Sequence, residues 1–368
     1  MTTPPSPTAH ATGAPHARAA VQGPPRGTGG VPLGGSGAAA QGGAALLAAM
    51  LTVTLVAAFA ASAMWRQWRA IEVETAERAR VQSAWILVGA LDWARLILRE
   101  DSLARGGDGT DNLTEPWSVP LEEARLSTFL AAERGVAQVQ DASTDTTNAF
   151  LAGSIADMQA RLNLRNLVDT GAAGGGQVNA VARRQFARLF DYLGLPQQQL
   201  AALAVQLQRA LAEGGDARTA PLLPQSVEQL GWLGLPQETV AALAPHVTLL
   251  PVATKVNLNT ASAIVLWASA DGLDMADAQR LVQARDAQHF RSESDAARLI
   301  GEGSGGDGAR IGTATHTVAS SYFEVRGRLR LDTAVVEERS LVLKQRGEVR
   351  TLWRERGSLL QAATAPAR

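Results

Sequence analysis

The sequence predicts an α+β fold, in which a long N-terminal helix packs on a small antiparallel sheet and a large all-α insert of short helices separates the strands. Three observations predict it. An uncharged run continues into an amphipathic helical pattern, short helical segments punctuated by glycine follow, and the last part alternates apolar and charged residues. A helix first, with strands and further helices after it, is typical of α+β chains.

The N-terminal helix begins with the uncharged residues 44–65. This length is close to the roughly 20 residues that a helix needs to cross a hydrocarbon core, which predicts a transmembrane half. The chain has no proline between Pro32 and Pro116. After Arg66 the apolar residues form two adjacent rows at helical spacing, namely Ile86, Ala90, Trp93, Ile97 and Leu87, Leu91, Ala94, Leu98. The second half of the same helix is therefore expected to pack one face on a domain.

Three interpretations of the apolar run are open. Residues 1–43 have no acidic residue and are rich in Gly, Pro and Ala, so they are expected to be a disordered leader that is removed. A secretory signal peptide would be cut after Ala63, and a plain membrane anchor requires nothing at Gly43. In a prepilin-type signal a peptidase cuts after a glycine and leaves the apolar helix as the new N-terminus. The junction between Gly43 and Ala44 resembles that signal, which is the interpretation we favour.

Composition limits the possible functions. The net charge of −1 gives no global field that would collect nucleic acid or acidic ligands. The absence of cysteine excludes disulfides and thiolate metal sites, and it is compatible with exposure outside the cytoplasm. The sequence has no H-E-x-x-H, G-x-S-x-G or phosphate-binding loop motif, and its five histidines are scattered. We therefore expect no enzymatic activity.

The remaining chain divides by pattern into a body, an insert, further strands and a disordered tail, at residues 66–176, 177–300, 301–355 and 356–368. In the first part of the body, residues 121–133 are expected to form a short helix and residues 135–167 short strands. Alternation with a period of two at residues 323–331 and 341–353 predicts an antiparallel sheet, with a hairpin turn at Gly347.

The insert contains an internal repeat. The phrase YLGLPQQQLAAL at residues 192–203 returns as WLGLPQETVAAL at residues 232–243, and a degenerate third copy begins at Gly272. In the two clear copies a glycine, Gly194 or Gly234, is expected to end one helix. Pro196 or Pro236 is expected at the first position of the next. The pattern predicts short helices joined by tight turns, similar to helix-hairpin-helix or SAM-like repeats.

The most distinctive local phrase is VNLNTASAIVLW at residues 256–267. It resembles both the helix-hairpin-helix of competence-type DNA receptors and the insert of K-type minor pseudopilins. Residues 256–300 carry four Arg against five Asp and one Glu, and such a surface repels phosphate, so we expect no nucleic-acid partner. Asn257 and Asn259 are expected to cap or brace the chain where a helix starts near Thr260.

Several phrases together resemble the general secretion pathway protein K family, the K-type minor pseudopilins of type II secretion. They stand in the family's order at residues 43–47, 153–168, 226–235, 256–262 and 320–325. The resemblance implies a pilin-like fold at the tip of a pseudopilus, with I- and J-type minor pseudopilins as partners. It also implies cleavage by a prepilin peptidase and N-methylation of Ala44. The location implied is the bacterial inner membrane, crossed once, with the C-terminal domain in the periplasm. Alternatives are a membrane-anchored helix-hairpin-helix DNA receptor and a minor type IV pilin.

Position five after the junction is Ala48. Most pilins have a glutamate there, which can pair inside lipid with the terminal amine of a neighbouring subunit. A charge in lipid is costly unless it is paired, so the glutamate signals a neighbour. K-type pseudopilins resemble this chain in lacking it, which implies a subunit at the end of the filament.

A cation site is the weakest candidate. Asp108, Asp111, Asn112 and Glu115 could converge on Ca²⁺, which prefers carboxylate and carbonyl oxygens, although their spacing fits no EF-hand. An acidic segment common in the family is replaced here by residues 205–213, which hold little acid. We therefore expect neither a metal nor another cofactor, with calcium as the open alternative.

Overall fold

The computed structural model describes residues 41–103, 108–128, 149–169, 176–212, 220–301, 311–331 and 334–358. The predicted leader up to residue 40, the predicted strand region at residues 135–148 and the tail from residue 359 lie outside these ranges. The chain forms two compact units that divide within its first helix, Met1–Ile71 and Glu72–Arg368. We call the second the C-terminal unit.

The elements follow one another in mixed order. The α-helices are α1 (Gln41–Leu103), α2 (Ala180–Tyr192), α3 (Gln197–Leu211), α4 (Gln237–Leu243), α5 (Ala263–Ser269), α6 (Met275–Ala287) and α7 (Glu293–Gly301). The strands are β1 (Leu121–Arg125), β2 (Ala149–Asp157), β3 (Leu162–Asn163), β4 (Val168–Asp169), β5 (Gln177–Val178), β6 (Val247–Thr248), β7 (Val256–Asn257), β8 (His316–Thr317), β9 (Tyr322–Leu331), β10 (Ala334–Gln345) and β11 (Glu348–Ser358). Short 3-10 turns lie at Pro116–Ser118, Met158–Ala160, Leu164–Leu167 and Val227–Leu233.

Helix α1 is continuous over 63 residues, as the absence of proline predicts. Within the described part of the chain it is the one helix long and apolar enough to cross a membrane, and its apolar window is not buried against protein. In the C-terminal unit one of the two predicted rows is buried, and the row that begins at Ile86 is half-buried. The helical periodicity of the sequence therefore located the packed face of α1.

The main sheet has five antiparallel strands in the order β1-β2-β9-β10-β11. The helix predicted at residues 121–133 is wrong for residues 121–125, which form strand β1. Leu121 lies opposite Gly153 and Ala124 opposite Leu151 of β2. Pairing with β2 therefore overrides the helical preference of the segment Leu-Glu-Glu-Ala-Arg, whose five residues all rank high in helix propensity.

One face of this sheet packs on α1 through two hydrophobic clusters. In one, Leu98 of α1 meets Phe323 of β9 and Trp117, whose ring lies 5.1 Å from that of Phe323. In the other, Leu87 of α1 meets residues of β2 and β9. Gly327 of β9 lets the helix approach, since a Cβ there would lie 3.1 Å from Leu87 Cδ2. Burial of these apolar side chains holds the helix on the sheet.

A further and larger hydrophobic cluster combines α2 to α7 of the insert, and the turns between them, with residues 162–168 of the body. The glycine turns are confirmed, because Gly194, Gly234 and Gly272 have φ of 66°, 87° and 80°. Pro196 and Pro236 occupy the N-cap and not the first helical position, because each keeps an extended ψ. The insert is not purely helical, since β6 pairs with β3 and β7 with β8, both in parallel.

The predicted hairpin turn at Gly347 is present. Gln345 pairs with Glu348 across the two-residue turn Arg346-Gly347, and both turn residues have positive φ, 54° and 78°. Two such residues give the turn whose twist matches antiparallel strands, for which Asn-Gly is the preferred sequence.

We therefore expect the two turn positions to respond oppositely to substitution. Gly347→Ala should lower the free energy of unfolding by about 1–2 kcal/mol, because it forces a Cβ into the left-handed region. That Cβ would also lie 3.1 Å from Leu103 Cδ2. Arg346→Asn should raise the free energy of unfolding by up to about 1 kcal/mol, since Asn tolerates this conformation. Urea unfolding of the C-terminal unit measures both, and changes of the same sign would contradict the assigned turn.

Candidate functional site

The predicted processing junction lies at the start of α1. Gly43, Ala44 and Ala48 are exposed and helical, and a Cβ on Gly43 would meet no atom within 4 Å. The hydroxyls farther along are satisfied inside the helix, since Thr52 and Thr54 donate to carbonyls three residues earlier, at 2.8 and 2.9 Å. Such internal bonding lets polar side chains enter lipid, where no other partner exists. The segment is thus compatible with cleavage at Gly43 and with membrane insertion.

The phrase VNLNT supplies a buried polar network. Asn257 is fully buried, and its Nδ2 lies within hydrogen-bond distance of the Asp111 carbonyl oxygen, Asp157 Oδ2 and Ser320 Oγ, at 3.0, 3.0 and 2.9 Å. Its Oδ1 accepts from the Asn259 backbone N–H at 2.9 Å. One side chain of the insert therefore contacts the loop after α1, the end of β2 and the segment before β9.

Asp157 is the acceptor at the centre of this network. Thr260 Oγ1 and Ser320 Oγ each donate to Oδ2 at 2.6 Å, and the Gln159 backbone N–H donates to Oδ1 at 2.7 Å. Burial raises the pKa of Asp157, and the donated hydrogen bonds act against that shift. A carboxylate so well supplied with donors at the junction of two cores fixes the insert on the body.

Asn259 has a role that differs from the predicted cap. Its Nδ2 donates to the Phe290 carbonyl at 2.9 Å, and its Oδ1 accepts from the Phe290 N–H at 2.8 Å. The helix after it, α5, begins at Ala263, and its cap is Ser262, which accepts from the Val265 N–H. Asn259 therefore braces the chain between α6 and α7, because its amide matches both backbone groups of one residue.

A second polar cluster lies at the end of α1. Side-chain oxygens of Asp101, Asp111 and Glu115 lie within 4.8 Å of one another, which is the type of ligand set that a hard cation uses. The ammonium group of Lys344 contacts two of these carboxylates, Asp101 at 3.0 Å and Asp111. The Lys344 ammonium group therefore provides these carboxylates with a positive charge from the chain itself.

The predicted cation set is corrected in part. Asp111 and Glu115 do converge, and Asn112 Nδ2 donates to Glu115 Oε1 at 2.6 Å. Asp108 points elsewhere, with His289 Nε2 at 2.6 Å from its Oδ2, and that hydrogen bond is the main cause that lowers the pKa of Asp108 to about 2. Asp101 takes its place, because the end of α1 brings it beside the loop.

The ionisable groups of this cluster are shifted by burial and by one another. Burial raises the pKa of Asp111 against the opposing effect of Lys344. Burial also raises the pKa of Glu115 to about 7; the charges of Asp101 and Asp111 add to the shift, and a hydrogen bond from Trp117 acts against it. Burial alone would lower the pKa of Lys344, but the charge of Asp111 acts in the opposite direction and the pKa is raised overall. Three carboxyl groups around one ammonium therefore favour a proton on Glu115.

The contribution of Glu115 to stability is expected to fall as the pH rises from about 5 to about 8. The folded protein holds a proton on Glu115 up to a pKa of about 7, whereas the ordinary value is 4.5, so unfolding releases a proton between these values. Burial lowers the pKa of His316 to about 4, which acts in the opposite sense over part of this range, so the Glu115 contribution is measured as the difference between the natural chain and Glu115→Gln. Between about pH 5 and about pH 8, urea unfolding should show a change in stability that is less favourable by about 1 kcal/mol in the natural chain than in Glu115→Gln, after a discount because Glu115 is partly exposed to solvent. An equal pH dependence in both chains would contradict the assignment.

The helix-hairpin-helix region offers no array of free cations. The guanidinium of Arg285 is buried and donates to the Leu258 and Ala261 carbonyls. The other arginines of residues 256–301 each lie within 4 Å of a carboxylate, namely Arg280 with Asp277, Arg291 with Asp108 and Arg298 with Asp295. Each arginine of residues 256–301 thus has a carboxylate or a carbonyl group beside it.

The architecture defines a class of protein. One helix combines an apolar N-terminal half with a second half that packs on an antiparallel sheet, which is the pilin-like arrangement.

Residues 160–252 and 256–317 match two family models, both described as type II secretion system protein K. One solved structure with a similar fold is the crystal structure of the GspK-GspI-GspJ complex from the type 2 secretion system of enterotoxigenic Escherichia coli. A chain of it matches with 18% identity and a TM-score of 0.55, over 77% of this chain and 98% of that chain. No curated protein matches the sequence.

These matches support a member of the type II secretion protein K family. They also support the role of a minor pseudopilin in type II secretion, and that family is a structural component of the system. The VNLNT phrase lies within the second matched segment.

Proposed function

We propose that this chain occupies the tip of a short periplasmic pseudopilus, where it binds I- and J-type minor pseudopilins and helps assembly to begin. Its role in export across the outer membrane is mechanical and needs no catalytic group. The observation that carries this proposal is the uncharged first half of α1, in which Ala48 stands at the position where other pilins have glutamate.

Ala48 supports an end position through electrostatics. In a filament, the glutamate of one subunit can pair with the terminal amine of another, and lipid makes an unpaired charge costly. A subunit with alanine can enter the membrane without such a partner. It also offers no carboxylate to the amine of another subunit, so the contact that continues the filament in that direction is missing.

The insert supports the same position through bulk. Its helices α2 to α7 share a hydrophobic cluster with residues 162–168 of the body, and the Asn257 network and the parallel pairs β3·β6 and β7·β8 strengthen this connection. A rigid addition of this size hinders the stacking of another subunit against the same side. The crystallised relative is part of a complex with GspI and GspJ, which supports the same two partner types here.

Processing and location complete the proposal. A prepilin peptidase cuts between Gly43 and Ala44, removes the leader 1–43 and leaves Ala44 as an N-methylated terminus. Residues 44–65 then cross the bacterial inner membrane once, and the C-terminal unit lies in the periplasm. The apolar, continuous start of α1 supports this arrangement.

The tip position has a direct test, because the natural chain has no cysteine. Tyr192→Cys adds a single thiol at a half-exposed position of the insert, where it can be labelled with gold. Pseudopili assembled with this chain should carry label at one end only. The purified chain should also form a complex of fixed stoichiometry with the I- and J-type partners. Label distributed along the fibres would contradict the tip position, and a chain that bound neither partner would contradict the assembly role.

A further inference from the structure

The uncharged half of α1 ends where two tryptophans and two arginines lie within about one turn of the helix. Trp65 and Trp68 are 62% and 53% exposed, and their rings lie 5.5 Å apart. Arg66 and Arg69 alternate with them in the sequence and are also exposed. We call these four residues the Trp–Arg collar. Two adjacent indoles outside any protein core form a contiguous apolar surface, which is typical of an interaction site.

Helical spacing groups the collar into adjoining faces. Trp65 and Trp68 are three residues apart and so share one face, while Arg69 lies one turn beyond Trp65. No acidic residue occurs between Ala44 and Ile71. The collar is therefore an aromatic surface bordered by two positive charges, with no carboxylate in its own unit to neutralise them.

The length of the apolar run places the collar at a particular depth. At 1.5 Å per residue, the helix from Ala44 to Met64 extends roughly 30 Å, which is about the thickness of a hydrocarbon core. When the start of this run lies at one membrane surface, the collar reaches the other. Indole rings favour that layer, because the ring is apolar while its N–H needs an acceptor. Guanidinium groups favour it as well, since they donate two parallel hydrogen bonds to a phosphate.

We propose that the Trp–Arg collar binds the phospholipid headgroups of the leaflet from which the C-terminal unit emerges, with a preference for anionic headgroups. The indoles fix the depth of α1, and Arg66 and Arg69 select the negatively charged lipid. This surface is separate from the partner contacts proposed above, so it operates in the single subunit before assembly.

Depth is tested with the full chain in phosphatidylcholine nanodiscs that carry brominated lipids. Bromine near the headgroup should quench the collar tryptophans about twofold more strongly than bromine near the chain ends. The difference in fluorescence between the natural chain and the Trp65→Phe/Trp68→Phe variant isolates the signal of these two tryptophans from that of the other six. Trp85→Phe, also exposed on α1, is the matched control and should leave lipid quenching unchanged. Stronger quenching from the chain ends, or none that depends on Trp65 and Trp68, would overturn the proposal.

Lipid selectivity is tested by the association of spin-labelled phosphatidylglycerol and phosphatidylcholine with the same nanodiscs. The natural chain should favour the anionic lipid by about fivefold for each arginine, and Arg66→Gln/Arg69→Gln should remove that preference. The matched control is Arg78→Gln/Arg80→Gln, because these exposed arginines already pair with Glu74 and Glu77. A preference that survives in the Arg66/Arg69 variant, or is lost in the control, would overturn the assignment. Neither assay contains a partner subunit, so both outcomes are independent of the tip proposal.

Discussion

Replacing Asn257 with alanine is expected to lower the free energy of unfolding of the C-terminal unit by about 3 kcal/mol, the effect of leaving buried and charged partners unsatisfied. The substitution removes a donor that lies within 3.0 Å of the Asp111 carbonyl, Asp157 Oδ2 and Ser320 Oγ. It also leaves the Asn259 N–H without its acceptor. Asp157 is buried, so it loses this donor where bulk water cannot reach it freely.

A matched control separates this network from an ordinary cap. Asn179 caps α2 by accepting from the Ala182 N–H, and its own bonds to Asp169 are exposed, so Asn179→Ala should cost only about 1 kcal/mol. Urea unfolding compares the two variants. Asn259→Ala should resemble Asn257→Ala, because both polar backbone groups of Phe290 lose a buried partner. Equal, small losses in all three variants would show that the junction does not depend on these amides.

The second large effect concerns processing. Gly43→Phe is expected to leave the whole population of the chain uncut, because the peptidase proposed to act there requires a small residue before the cut. The intact mass of the membrane-purified chain reports the result, and for the natural protein we expect the mass of a chain that begins at Ala44. Loss of cleavage should also abolish assembly, since the leader would remain on the end of the membrane helix.

Ala63→Leu is the paired control for that experiment. It blocks the competing secretory cleavage after Ala63 but leaves the Gly43 junction intact, so the chain should still begin at Ala44. A natural chain that begins at Met64, with cleavage lost only in Ala63→Leu, would establish a signal peptide. An uncut natural chain would establish the plain anchor.

Local patterns in the sequence were sufficient for much of the fold. The rows on α1 follow from the 3.6-residue period, and Gly194, Gly234 and Gly347 mark turns because their backbone requires positive φ. The helix predicted for residues 121–125 is wrong because all five of these residues favour a helix by intrinsic propensity, whereas they form strand β1. Only pairing with β2 decides their conformation, and that pairing is not visible in the local sequence.

The site was less predictable because its members are distant in the chain. Asp111 and Glu115 were found from their residue type, whereas Asp101 and Lys344 join them only through tertiary packing. One feature of the sequence pointed to Lys344. In strand β10 it lies two residues after Val342 and therefore on the same side, which faces α1. A lysine on a buried face predicts a carboxylate nearby, although not which one. The amides of the VNLNT phrase were correctly expected to be structural, but their partners could not be named.

The order of strands in the sheet has a consequence for synthesis. Strand β2 pairs with β9, so Asp157 lies opposite Phe323, and the intervening residues 158–322 contain the whole insert. If these residues stayed unfolded, closing so long a loop would be slow. The edge of β2 that pairs with β9 would then remain unpaired while the rest of the polypeptide is synthesised. An insert that condenses first shortens the effective distance between the two strands. We therefore expect hydrogen-exchange protection to develop in α2–α7 before it develops in the sheet, so that the helices of the insert act as an internal folding aid for the sheet.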